Sequence, residues 1–543
     1  MLCAPGSAER GAAIDPEILT LAVLTPETVS PESLLSTANL LKMLAFALYA
    51  GVLLVIGYLA SKKMHDIRDY FAGGKRLGFI NVAFSSRATG ESAWLLLGLT
   101  GMGYAVGMKA MWVVLGEMLG VGIAWILMAK RFKRLTDKYD SITVPDFLES
   151  RLRDSGHWLR LIACGSLLIF VPIYAGTQVH AAGGAFNSFL GWNHYVGASV
   201  GFLVVLLYIT QGGFTAVVWS DVFQGSLMAL GLIALPIVGL LEAGGVTRVT
   251  ETLNAVDPGL LTFHAGEGWT LMTILSIIGF MMIGIGFLGS PQVFVRFISI
   301  KNEKEILPGT ITALTWTLLA DSGAVLVGVT GRALFTPQDI GGLDQNILPV
   351  MSDTLLPAFF SGLYIAMVLS AIMSTIDSLL VVASSAAVRD YWQKTRHPDM
   401  PDDRLMNLSK LLTVALALVS FAIGIGIMLY DKEQGIFWTI IFGWSGIAAT
   451  FCPTIVLSLF WSKLTALGAK CSMIAGFCSV SVFKFVIPPI LETAGLDTLN
   501  EALVNLDVLP PSFAVGVIVA MVVSLADSKG RAKLEGIGAE LRV

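Results

Sequence analysis

The twelve residues Ala83-Phe84-Ser85-Ser86-Arg87-Ala88-Thr89-Gly90-Glu91-Ser92-Ala93-Trp94 lie within an apolar run at residues 80–104, yet carry an arginine, a glutamate and four hydroxyls. A charge at the centre of a bilayer costs roughly 2.5–3.5 kcal/mol on insertion scales, so such a stretch faces protein or water and marks a pathway. Gly90 and the small side chains around it favour local unwinding, and freed carbonyls are hard oxygen ligands for a cation. The alternative is an Arg87–Glu91 ion pair at i, i+4 that merely holds two helices together.

The rest of the 543-residue chain explains why these residues sit at membrane depth. It is 55% hydrophobic and 14% charged, with a mean hydropathy of +0.76, too apolar for a globule that keeps its surface wet. Apolar runs fall near residues 39–61, 80–104, 111–129, 159–187, 193–211, 216–241, 269–290, 308–330, 354–388, 409–430, 436–461, 467–486 and 511–527. Runs of about 20 residues match the roughly 30 Å hydrocarbon thickness when helical. The reading is an all-α polytopic protein of about thirteen transmembrane helices in a lipid bilayer. The net charge of −4 is small and suggests no nucleic-acid partner.

Basic residues mark the cytoplasmic connections. Lys62, Lys63, Arg68, Lys75 and Arg76 follow span 1, and Lys130, Arg131, Lys133, Arg134 and Lys138 follow span 3. Arg296, Lys301 and Lys304 after span 7, Arg389, Lys394, Arg396 and Arg404 after span 9, and Lys529, Arg531 and Lys533 after span 13 continue the series. The alternation predicts a multi-pass protein of the plasma (inner) membrane with the N-terminus outside and the C-terminus cytoplasmic. Residues 1–38 read as a flexible external tail, 39–527 as one transmembrane domain and 528–543 as a short cytoplasmic tail.

Cys164, Cys452, Cys471 and Cys478 lie in apolar runs and Cys3 in the tail, without the close pairing of a zinc site, and read as small buried apolar residues. The chain carries no Walker loop and no H-E-x-x-H, and its G-x-S-x-G match, Gly197 to Gly201, lies inside an apolar run rather than at the strand-to-helix turn of a nucleophile elbow. ATP-driven pumping and hydrolysis therefore lack their signatures, and a non-enzymatic protein driven by ion gradients is expected.

Span 7, with Gly284, Gly286, Gly289 and Pro291, is the counterpart of span 2 as a second interrupted helix, and paired interruptions point to a transporter's central site. Span 9 contains Ser370-Ala371-Ile372-Met373-Ser374-Thr375-Ile376-Asp377-Ser378. On a helix Ala371, Ser374, Thr375 and Ser378 share one face, with Asp377 beside it, as an oxygen-ligated cation requires. The alternative is that these hydroxyls bond back to the i−4 carbonyl. Asp221 is a further buried acid or a helix-start residue near the interface. Glu117 in span 3 is another intramembrane acid, and the lone His180 reads as a packing residue.

The segments Asp69 to Gly78, Ser92 to Gly98, Thr143 to Phe147, Gly212 to Asp221, Gly289 to Gln292 with Arg296-Phe297, and Leu369 to Thr375 together resemble the sodium/solute symporter family, most closely its bacterial sodium/proline symporter branch. The resemblance covers about residues 40–465. It implies an inverted five-plus-five repeat core of the leucine-transporter type, with spans 2 and 7 as the broken helices. It implies a sodium ion (Na+) held by the carbonyls of Ala88, Glu91 and Ala371 with the hydroxyls of Ser374 and Thr375. In relatives of a two-sodium design the second site would fall on Asp221, Ser374, Asp377 and Ser378. This chain differs from the proline branch in having Gly90 for an aspartate, Arg87 and Glu91 for small or apolar residues, and Ile283 and Phe287 for a tryptophan and a tyrosine.

The function implied is sodium-coupled symport of a small organic solute, with proline or a related amino acid leading, by a monomer or weak homo-oligomer. The solute would lie among Ser92, Trp94, Phe287, Pro291 and Trp444, its carboxylate meeting the helix end at the break or Arg87. The competing readings are a sodium- or proton-coupled carrier of a sugar or carboxylate, and a sensor that binds solute without flux.

Overall fold

The computed structural model describes residues 36–63, 66–430 and 436–541, so the expected external tail lies, but for its last residues, outside the described part. The labelled helices are α1 (Thr37–Ser61), α2 (Phe79–Ala93), α3 (Met111–Ile123), α4 (Trp158–Leu190), α5 (His194–Glu242), α6 (Leu271–Met282), α7 (Pro291–Ser299), α8 (Ile306–Leu334), α9 (Ala358–Ser385), α10 (Asp402–Tyr430), α11 (Ile436–Phe460), α12 (Ala466–Ser481) and α13 (Leu509–Ala526).

Among the described residues, eleven helical stretches are long and apolar enough to cross a membrane. One of them, Phe79–Lys138, is 60 residues long, about 90 Å of helix at 1.5 Å per residue and too long for a single crossing of a roughly 30 Å core. It divides at Gly107, where φ is +61° and an added Cβ would lie 2.1 Å from the Leu260 carbonyl. The apolar helix His194–Leu207 supplies a shorter pass, separated from the next by the non-helical Gly213 within α5. Thirteen passes result, as the hydropathy predicts. The isolated Leu77–Ile300 bridge is the only β pairing among the described residues.

Both interrupted helices are present. Residues 79–93 form regular helix straight through Gly90, and the break falls at Ser92 (φ 54°, ψ −170°), followed by a wide π turn over Trp94–Leu99. The unwinding expected around Gly90 is thus displaced by two residues. Gly90 stays helical because its missing Cβ makes room for the Phe287 ring, which such an atom would meet at 2.5 Å. On the other side, α6 tightens into a 3-10 turn at Ile283–Leu288, and the helix restarts at Pro291. Proline suits a first helical position, since its fixed φ is pre-set and its missing N–H is not needed there.

The broken helices open the two five-helix halves, spans 2–6 and spans 7–11; α1, α12 and α13 lie outside them. α9 is the central post: the whole of its apolar window is buried, and it packs on α1, α2, α4, α5 and α10. α12 and α13 pack on each other and on α11 at the periphery. At the end assigned to the cytoplasm, Leu77 N–H donates to Ser299 O at 3.0 Å and Lys301 N–H to Leu77 O at 2.9 Å. Phe79 N–H, the first donor of α2, is taken by Glu305 Oε2 at 2.8 Å. The two broken helices are therefore tied together on that side.

The residues after α13 fold back as two short helices, Ser528–Lys533 and Ile537–Glu540. Glu540 accepts the Tyr139 hydroxyl at 2.5 Å and pairs with Lys138 at 3.0 Å.

Candidate functional site

The crossing of α2 and α9 brings together the Ala88 and Ala371 carbonyls and the Ser374 hydroxyl, with Thr375 reaching Thr89 rather than an expected carbonyl. Ser374 Oγ lies 2.9 Å from Ala88 O and 3.2 Å from Ala371 O, and Thr375 Oγ1 lies 3.1 Å from Thr89 O. All are buried. The two readings of the span 9 hydroxyls separate here. Ser370 bonds back to Ala366 O, at 2.8 Å, and meets the Tyr49 hydroxyl of α1, whereas Ser374 and Thr375 reach across to α2. Next to the break, Ala93 N–H donates to Gln178 Oε1 of α4 at 3.0 Å. Glu91, whose carbonyl precedes the break, sends its side chain to Arg87. Hydroxyl and carbonyl oxygens side by side form a neutral donor set that suits a monovalent cation.

One turn further along α9, Ser378 Oγ lies 3.2 Å from Asp377 Oδ1 and 2.8 Å from Thr89 Oγ1. Here a residue counted as a cytoplasmic loop charge turns out to be internal. Arg296, in α7, is fully buried, with Nη2 at 3.2 Å from Asp221 Oδ2, 2.7 Å from Thr89 Oγ1 and 2.5 Å from Ser378 Oγ. Its Nε reaches Ser85 Oγ at 3.0 Å, and Ser85 also bonds Asp221 at 2.5 Å. The hydropathy run of span 7 ended before Arg296, but the half-helix beyond Pro291 carries it inward. Asp221 is therefore the partner of a buried arginine rather than a helix-start residue at the interface.

The third constellation surrounds Arg87. It pairs with Glu91 on its own helix, with Glu117 of α3 at 2.7 Å and lies 3.7 Å from Asp321 of α8. The i, i+4 pair is real, but it belongs to a four-residue cluster across three helices. Asp321 was overlooked, although an acid inside the apolar run 308–330 carries the same signal as Glu117.

The aromatic residues assigned to the solute are adjacent. Phe287 and Trp444 have ring centroids 5.2 Å apart, and Trp444 Nε1–H donates to Ile283 O at 3.0 Å. Gly286 permits this: a Cβ there would lie 2.1 Å from the indole. Arg87 stacks over Phe287 at 4.5 Å, and Ser92 Oγ accepts Trp94 N–H at 3.3 Å. Pro291 begins α7 just past the 3-10 turn.

His180 is partly buried and belongs to no metal-binding group among the described residues. The four described cysteines are free thiols. Cys164 and Cys452 are buried as expected, but Cys471 is partly buried and Cys478 exposed, because the stretch Ala466–Thr493 is peripheral and only 17% of its apolar window is covered.

Residues 70–476 match the family model described as "Sodium:solute symporter family". The high-affinity proline transporter PutP of Bacillus subtilis (strain 168) is 33% identical over 87% of this chain and 95% of its own length. Sodium/proline symporter 2 of Staphylococcus saprophyticus is 30% identical over 88% of this chain and 91% of its own. Among solved structures, a substrate-bound, outward-open Na+-coupled sialic acid symporter superposes with a TM-score of 0.73 at 21% identity, covering 90% of this chain and 98% of that one. MhsT in complex with L-phenylalanine gives 0.51 at 16% identity, covering 82% and 98%. At these identities the two structures speak for the fold.

Proposed function

The chain belongs to the sodium:solute symporter family, and on that premise we propose that it carries proline or a closely related amino acid across the plasma membrane, drawn by sodium through alternating access. The observation that carries this reading is the pair of hydroxyls, Ser374 and Thr375, reaching from α9 to the carbonyls of Ala88 and Thr89 just before the break in α2. Two relatives named for proline transport, matched over most of the chain, support the solute.

Sodium would be held by the carbonyls of Ala88, Glu91 and Ala371 with the Ser374 and Thr375 hydroxyls, whose hydrogens turn away so that their lone pairs face the ion. Holding these oxygens together fixes α2 against α9, with the two broken helices tied at their cytoplasmic ends. That favours the outward-facing arrangement in which the solute site is complete. Coupling is then differential affinity, and reciprocity requires solute to strengthen sodium binding by the same factor. The basic connections support an orientation with the N-terminus outside and the C-terminus in the cytoplasm.

The solute would rest against Phe287 and Trp444, with Ser92, Trp94 and Pro291 at the two breaks. Arg87 is engaged by Glu91 and Glu117, so a solute carboxylate would turn to the partial positive charge of the helix end at the Ser92 break, taking the Trp94 N–H from Ser92 Oγ. A zwitterionic amino acid fits such a site better than a sugar.

The test is uptake of labelled proline into proteoliposomes under an inward sodium gradient, alongside a panel of amino acids, sugars and carboxylates. Accumulation with sodium and none with choline supports the reading. Accumulation in choline, or preferred uptake of a sugar or dicarboxylate, overturns it.

A further inference from the structure

We propose that the carboxylates of Glu91, Glu117 and Asp321 form a cation site of their own, for a dehydrated ion of sodium or calcium size, separate from the oxygens at the α2–α9 crossing. Their ligand atoms all lie within 4.8 Å of one another, on three different helices, and each residue is at most 1% exposed.

Charge is the first argument. Among the described residues these three acids pair with one cation, Arg87. Three carboxylates against one guanidinium leave two negative charges in excess at membrane depth, where uncompensated charge is costly.

Asp321 gives the second, independent argument. It is fully buried, and neither Oδ1 nor Oδ2 has a hydrogen-bond partner. Its one ion-pair partner among the described residues, Arg87 Nη2, is 3.7 Å away, beyond hydrogen-bond reach, that nitrogen being engaged by Glu91 and Glu117. A buried carboxylate left without a donor bears its whole desolvation cost. An ion on the Asp321 side of the cluster, opposite the guanidinium, removes it.

Size is the third argument. An ion bound to oxygens at about 2.3–2.6 Å, the calcium range, spans ligands up to roughly 4.6–5.2 Å apart. The observed limit of 4.8 Å fits. Magnesium gives up its water shell reluctantly and is disfavoured in this dry site. Sodium and calcium have nearly the same radius, so experiment must separate them.

The test uses the full-length protein in lipid nanodiscs at fixed pH and ionic strength. Tryptophan fluorescence is followed while choline chloride is replaced by sodium chloride, or calcium chloride is added; the Trp316 ring lies 5.5 Å from Arg87 and reports on the cluster. Asp321→Asn should shift the midpoint of one sodium or calcium phase at least tenfold, and Ser374→Ala should leave that phase in place. Glu117→Gln is the second variant, each being checked for a monodisperse profile on gel filtration. Unchanged sodium and calcium midpoints in both carboxylate variants overturn the proposal. So does a phase that responds to pH alone with neither metal effective, which would make the cluster a proton site. Failure of proline uptake, by contrast, leaves the binding phases readable and bears only on the solute.

Discussion

Arg296 Nη2 stands 3.2 Å from Asp221 Oδ2, with both side chains fully buried. The same guanidinium bonds Thr89 and Ser378, so it engages two of the four residues, Asp221 and Ser378, expected of a second sodium site in relatives of a two-sodium design. Any ion binding at Asp221 must first displace a charge fixed to the protein.

Asp221→Asn therefore removes a counter-ion of a buried arginine, and removing one partner of such a pair costs about 3–5 kcal/mol. Arg296→Gln strands the carboxylate and should cost a similar amount. Because the two substitutions share one interaction, their effects are non-additive, and the double variant should be more stable than the sum of the singles implies. Thermal unfolding of the four proteins in one detergent measures this; strict additivity would show that the pair contributes nothing.

At the α2–α9 crossing, Thr375→Ala removes a hydroxyl that lies 3.1 Å from Thr89 O. The loss of one ligand or hydrogen bond of this kind is worth about 1–1.5 kcal/mol. The sodium concentration for half-maximal uptake should rise roughly five- to tenfold, since about 1.4 kcal/mol is a factor of ten. Ser370→Ala, which deletes bonds to Ala366 and Tyr49 rather than to an α2 carbonyl, should leave it unchanged. Initial-rate uptake against sodium concentration distinguishes the two.

How much of this was legible in the sequence depends on which physical signal each residue emits. Thirteen passes follow from apolar runs alone, because a bilayer fixes helix length. Ser374 and Thr375 could be singled out by helical spacing, since α9 is regular and its faces follow from a period of 3.6. The break was less exact: Gly90 carries the sequence signal for unwinding, but packing against Phe287 uses the glycine as a gap while Ser92 takes the non-helical φ. Arg296 was misplaced because its charge ends an apolar run, and only the restart at Pro291 shows that the chain is still inside. The Arg87 cluster was half legible, its i, i+4 pair being local and its Glu117 and Asp321 members belonging to other spans.

The C-terminal residues yield a pH prediction. The Glu540 carboxyl is held below its usual value of 4.5, chiefly because the Tyr139 hydroxyl donates to it and Lys138 lies alongside. A depressed folded-state value means that the contact stabilises fully above the unfolded value near 4.5 and is lost as pH falls through the lower folded one. Hydrogen exchange of residues 534–541 should therefore be slow at neutral pH and rise only below about pH 4.5. Glu540→Gln should raise it at pH 7. Exchange that is fast at neutral pH in the unmodified protein would refute the docking.

The last prediction concerns the contact that sets the aromatic wall. Trp444 can approach the 3-10 turn only because residue 286 lacks a side chain, a Cβ there lying 2.1 Å from indole carbons. Gly286→Ala must push the ring away, which breaks its bond to Ile283 O and separates it from Phe287. Forcing one methyl into a filled interior costs about 1–3 kcal/mol. Because the strain falls on the proposed solute wall, the half-saturating proline concentration should rise more than the melting temperature falls. Gly51→Ala in α1 is the matched control: nothing lies within 4 Å of its added Cβ, and alanine in a helix is favoured over glycine by about 0.8–1 kcal/mol. That variant should keep full uptake and melt at or above the parent temperature. Equal effects of the two substitutions on proline affinity would dissociate Trp444 from the solute.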